Sequence, residues 1–176
     1  MLKLIALAIV ALIAVVLIYA ATRPDHFRIE RSIRINAPAD KVFALINDLH
    51  RHHDWSAWER IDPAMQRAHS GAASGVGAVY EWNGNKDVGQ GRMEIIDSQP
   101  ATLVRLKLDF IKPFEGHNQV DYSLRPEGDG TVVSQAMVGP SPYLSKLMGL
   151  VFNMGRMIGG KFEEGLANLK ALAEAR

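Results

Sequence analysis

The sequence contains no cysteine, which excludes disulfides, thiolate nucleophiles and cysteine-based zinc sites. It has no excess of charge: 20 Lys and Arg stand against 19 Asp and Glu. A chain balanced in this way offers no basic field for nucleic acid and has no acidic tail, so nucleic acid is not an expected partner. There is no GxSxG nucleophile elbow; Ser70-Gly71 and Ser74-Gly75 lie in a Gly-Ala turn. Gly71 to Gly77 lacks the Lys-Ser/Thr pair and the following helix of a phosphate loop. Asp97 and Asp109 are each alone in their strands, so no acid/base carboxylate pair is named. Catalytic residues therefore stay unassigned, and no cofactor is expected.

Histidines form the one metal-like cluster, His50, His52 and His53 beside Asp54. Catalytic zinc needs three or four convergent ligands, and neither an HExxH motif nor a downstream His pair accompanies them. The cluster reads as a solvated helix end, and no metal is expected. His69 is isolated in a weak strand, and His117 falls on the polar face of its strand.

What the chain does have is a hydrophobic head. Leu4 to Ala21 is a run of 18 residues without charge, Gly or Pro, and as a helix it spans roughly 27 Å, close to the thickness of a bilayer's hydrocarbon. Lys3 flanks it on one side and Thr22-Arg23-Pro24 on the other, with Tyr19 where an interfacial aromatic sits. The expectation is a single-pass N-terminal membrane anchor over residues 1–22, a linker over 23–26 and one domain over 27–176. A cleaved signal peptide competes, although its apolar region runs only about 7–15 residues and ends in a small-x-small site. Here Ile18 or Tyr19 occupies the position that should be small. Arg23, Arg28, Arg31 and Arg34 favour a cytoplasmic domain by the positive-inside count, but a long folded domain translocates regardless of charge. The side of the membrane stays open.

Beyond the head, about 150 residues remain, enough for one sizeable core. Phe27 to Asn36 alternates with period two, interrupted on its apolar face by Arg31. Ala37-Pro38 opens a short helix, and Asn47 to His53 reads as a polar turn or second short helix. Six further strands follow: Met65–Ser70 (weak), Gly77–Trp82, Gly91–Asp97, Thr102–Phe110, Glu115–Arg125 and Thr131–Val138. Glu127-Gly-Asp-Gly130 marks a hairpin between the last two. From Ser141 to Arg176 the period becomes helical, giving a long amphipathic cover for the sheet's apolar face. That helix is rich in Gly and Met. One reading breaks it at Gly159-Gly160, with Met as core filler; the other makes it an adaptable wall over an apolar cavity.

The segments FRIERSIRINAPADKVFALINDLHRHHDWSAW, SGAASGVGAVYEW, GQGRMEIIDSQP and GGKFEEGLANLKAL resemble the polyketide cyclase/dehydrase-like group of the START/Bet v 1-like (SRPBCC) superfamily. The resemblance runs from about residue 27 to 174 over many diffuse positions. It implies an α+β helix-grip fold, a seven-stranded antiparallel sheet curled around a long C-terminal helix with a deep hydrophobic cavity between them. It also implies an apolar small molecule or lipid as partner. Cyclisation or dehydration of a polyketide-like substrate, and binding of another protein, are alternatives within the same superfamily.

If that cavity exists, strand alternation assigns its lining. Tyr80, Trp82, Met93, Val104, Leu106, Leu108, Tyr122 and Met137 point inward, joined by Met148, Phe152 and Met157 from the helix. Two amides, Asn118 and Gln135, fall on inward faces; each is either paired internally or free to orient a ligand's polar end. Trp55 and Trp58 help close one end of the grip.

Overall fold

The computed structural model describes residues 1–175. Leu2–Ala21 forms one helix, α1. Its apolar side chains are exposed from Leu4 to Tyr19, and among its described side chains only Ala20 is buried, so it is not a core helix of the domain. Among the described residues it alone is long and apolar enough to cross a membrane, a test that a signal sequence also passes.

Seven strands follow: β1 His26–Ile35, β2 Gln66–Gly71, β3 Ala78–Asn83, β4 Gln90–Gln99, β5 Leu103–Lys112, β6 Gly116–Glu127 and β7 Gly130–Pro140. They make one antiparallel sheet in the order β1-β7-β6-β5-β4-β3-β2. Strands β1 and β2, neighbours in the sequence, are the two edges. Between them the chain crosses the sheet through α2 (Ala39–Ile46), a 3-10 turn at Leu49–Arg51, α3 (His52–Trp55) and a second 3-10 turn at Ala57–Arg60. From β2 onward every connection joins neighbours. The tightest is Glu127–Gly130, where Gly128 takes a positive φ of 63°, a conformation that costs glycine little.

The expected single helix from Ser141 is two: α4 (Tyr143–Val151) and α5 (Met154–Glu174). The break falls at Phe152–Asn153, not at Gly159-Gly160. Asn153 is the N-cap of α5, its side chain accepting from Arg156 N at 2.9 Å, which satisfies a backbone donor of the first turn. The helix continues through both glycines, for different reasons. A Cβ on Gly159 would come within 2.2 Å of Arg31 Nη2, whereas one on Gly160 would meet nothing within 4 Å. Arg31, which interrupts the apolar face of β1, thus lies against the bare backbone of α5 and is ion-paired there with Glu163.

The second half of α5 closes the core. Phe162, Leu166, Leu169 and Ala173 are buried against the sheet together with Ile35, Val42, Ile95, Val104 and Val133. Helix α4 behaves differently and buries no residue. It rests against the end of α1, where Tyr143 Oη donates to the Leu17 carbonyl at 3.0 Å and Lys146 Nζ to Asp25 at 2.6 Å.

Candidate ligand cavity

Between the sheet and the first half of α5 lies a cavity of about 390 Å³, within the range of small-molecule sites. Alternation of side chains along the strands builds its floor. Tyr80, Trp82, Met93, Leu106 and Leu108 line it from β3, β4 and β5. Tyr122, Gln135 and Met137 do so from β6 and β7, and Met157 closes it from α5. Val104 is fully buried beyond the cavity, in the solid core.

Besides Val104, three further expected lining residues lie elsewhere. Met148 and Phe152 are 41% and 57% exposed, because the chain breaks at Asn153 and α4 turns away from the sheet towards α1. Asn118 sits near the start of β6 with its amide over Gly139, whose absent side chain leaves the room: a Cβ there would fall 1.8 Å from Asn118 Oδ1.

Trp55 and Trp58, expected to close one end of the grip, line the inner wall, so all three tryptophans of the chain border the cavity. The structure also brings in residues that sequence reasoning missed. His52 is turned inward, its side chain 12% exposed, which corrects the reading of a wholly solvated cluster. His50, His53 and Asp54 remain exposed there, and His50 stacks on His69 with ring centroids 4.3 Å apart. His52 Nδ1 lies 3.3 Å from Glu59 Oε1, and Glu59, itself on the cavity wall, is 7% exposed. Among the described residues no group of three His, Asp or Glu is arranged to hold a metal.

Glu59 has three partners. Tyr80 Oη donates to Oε1, Arg67 Nε donates to Oε2 at 2.7 Å, and His52 is the third. Burial opposes its ionisation, but these hydrogen bonds outweigh burial and bring its pKa down to about 2. The Tyr80 hydroxyl is pushed up by burial and by its bond to the carboxylate. No sequence signal marks this network, since a buried Glu is rare and its partners come from three separate segments.

Tyr122 and Gln135 contrast with Glu59. They are register partners on β6 and β7, only 5% and 6% exposed. Neither the phenol nor the amide has a hydrogen-bond partner among the described residues, and neither is sealed off from water. Their polar atoms therefore open onto the cavity. Burial alone raises the Tyr122 hydroxyl.

The cavity's mouth lies between the β3–β4 turn, with Lys86 to Gly89, the β5–β6 turn, with Lys112 to Phe114, and the start of α5. Phe114, Met154 and Met157 are 71%, 42% and 59% exposed there. Strand β1 begins at the same end of the sheet, with His26 opposite Pro140 at the end of β7. Helix α1 therefore joins the domain on the side where the cavity opens.

No curated protein sequence matches the chain. Solved structures do, at low identity, and they bear on the fold. Protein CV1439 from Chromobacterium violaceum is similar with a TM-score of 0.60 at 16% identity, over 87% of this chain and 100% of that one. The ginseng major latex-like protein 151 from Panax ginseng gives 0.59 at 16%, over 86% and 100%. The di-domain aromatase/cyclase StfQ of the steffimycin biosynthetic pathway gives 0.60 at 12%, over 85% of this chain and 51% of that one. The family described as polyketide cyclase / dehydrase and lipid transport matches residues 26–174. The solved structures share its Bet v 1-like helix-grip fold, and on the family match the chain belongs to the polyketide cyclase/dehydrase and lipid-transport family.

Proposed function

We propose that this protein is a membrane-tethered binder of an apolar small molecule or lipid. In this reading residues 1–22 are the anchor, 23–26 the linker and 27–176 the binding domain. One observation carries it: an apolar cavity opens at the end of the sheet where α1 joins, through a mouth rimmed by exposed Phe114, Met154 and Met157. Exposed apolar side chains clustered at a mouth favour contact with something other than water. Helix α4 supports the same orientation. It is docked on α1 through Tyr143 and exposes Leu144, Met148 and Val151, the pattern of a helix lying in a bilayer's interface. A ligand poorly soluble in water would then pass between bilayer and cavity with little exposure to water.

The test is ligand load in cells. Removing residues 1–23 is expected to lower the amount of apolar ligand recovered with the protein several-fold, while the domain stays folded. An unchanged load would reduce α1 to an address.

A second reading, chemistry on a polyketide-like substrate, draws on one feature, the pairing of His52 with Glu59 at the cavity wall. A carboxylate that fixes one imidazole nitrogen leaves the other available for proton transfer. Turnover lost in His52→Gln with ligand binding retained would favour it over simple binding.

A further inference from the structure

We propose that Tyr122 and Gln135 form a built polar subsite at the inner end of the cavity, and that the ligand carries one neutral oxygen function, a hydroxyl or a carbonyl, placed between them. The inference rests on the ligand-binding reading above and names the chemistry of the molecule it would hold.

A phenol and a primary amide, both more than nine-tenths buried and side by side on neighbouring strands, are left unpaired in an apolar cavity. Buried polar groups are normally bonded, and an unpaired one destabilises the fold. Elsewhere the cavity wall obeys that rule: Glu59 is satisfied by three partners, and Trp55 Nε1 donates to the Leu45 carbonyl at 3.3 Å. The exception falls on two adjacent residues facing the same space. Their groups are complementary in function, since Tyr122 Oη can donate, while the Gln135 amide offers both a donor and an acceptor. A ligand hydroxyl would accept from Tyr122 and donate to the Gln135 carbonyl oxygen. A ligand carbonyl would accept from both.

The surroundings select a neutral group over an anion. The cations nearest this end are committed: Arg31, the register partner of Gln135 on β1, is paired with Glu163, and Arg67 with Glu59. A carboxylate or phosphate placed there would be buried without a counter-charge. Edge-on contact between Trp55 and Tyr122, with centroids 5.8 Å apart, holds the phenol in place. The apolar remainder of the ligand would extend past Leu106, Leu108 and Met157 towards the mouth. An anionic head could sit only at that outer end, beside Lys86 and Lys112, with its tail inward. This opposite orientation is what the experiment distinguishes.

All three tryptophans border the cavity, so quenching of their fluorescence by brominated ligands reads its occupancy directly. Full-length protein in phospholipid nanodiscs would be titrated with bromododecanol, bromododecane and bromododecanoate. The alcohol is expected to bind about tenfold more tightly than the alkane. Combining Tyr122→Phe with Gln135→Met, which keeps the volumes, should abolish that preference without weakening alkane binding. In the empty protein, Gln135→Met is expected not to lower Tm, because the amide bonds no protein group and only opens onto the cavity; a lowered Tm would mean that Gln135 is structural, and would overturn the proposal. Equal affinity for alcohol and alkane would overturn it too, as would tightest binding of the carboxylate unaffected by the double variant, while in both cases the cavity would remain a ligand site. Quenching by none of the three probes would defeat the ligand-binding reading itself.

Discussion

Arg67 Nε donates to Glu59 Oε2 at 2.7 Å, so the carboxylate on the inner wall of the cavity is neutralised before any ligand arrives. Glu59→Gln keeps the shape, removes the charge and leaves Arg67 without its partner. The expected cost is about 1–3 kcal/mol at neutral pH, measured by urea denaturation. In the wild type the folded pKa of about 2 lies below the ordinary 4.5. The stabilisation from Glu59 is therefore complete above the ordinary value and is lost as pH falls through this window. The gap between wild type and variant should narrow on acidification, and a gap independent of pH would contradict the ionised pairing.

The two adjacent glycines of α5 should respond in opposite directions. A Cβ on Gly160 would meet only open space, so Gly160→Ala should stabilise by about 0.5–1 kcal/mol. Gly159→Ala would displace the Arg31 guanidinium and turn that gain into a loss of about 1 kcal/mol. Adding Arg31→Ala should recover most of the loss, and thermal denaturation of the four proteins completes the cycle. Equal effects at the two positions would mean that Arg31 does not pack against α5 in solution.

Because the chain has no cysteine, a single introduced cysteine can be labelled at one known place. Leu144 and Val151 are 63% and 79% exposed on α4. An environment-sensitive NBD label on Leu144→Cys or Val151→Cys should emit further to the blue once the full chain is in a bilayer. On Arg125→Cys, towards the opposite end of β6, it should keep its spectrum in water. A water-like spectrum at all three positions would contradict a mouth that faces the membrane.

Much of the fold was legible because its signals are local. Strand β5 announces itself through Val104, Leu106 and Leu108 alternating with Arg105 and Lys107, and the same alternation placed Tyr80, Trp82, Leu106 and Tyr122 on the cavity side. The helix break at Asn153 was missed, and the one considered, at Gly159-Gly160, weighed glycine above capping. Gly159-Gly160 costs helix propensity, yet close packing on Arg31 holds the first in place, while Asn153 supplies a side-chain cap where the chain does break. That one residue accounts for Met148 and Phe152 lying outside the cavity. The Glu59 network was not legible at all. Its members, His52, Glu59, Arg67 and Tyr80, are scattered over separate elements, and only the fold makes neighbours of them.

The central claim is that the cavity holds an apolar ligand, and native mass spectrometry of the full-length protein released from membranes tests it most directly. Met137 is 4% exposed on the cavity floor, so Met137→Trp should fill the space while keeping the fold. The account predicts an adduct of small apolar molecules on the wild type that is lost in Met137→Trp. A wild type that carries no adduct, or an adduct equally abundant in the filled variant, would contradict it.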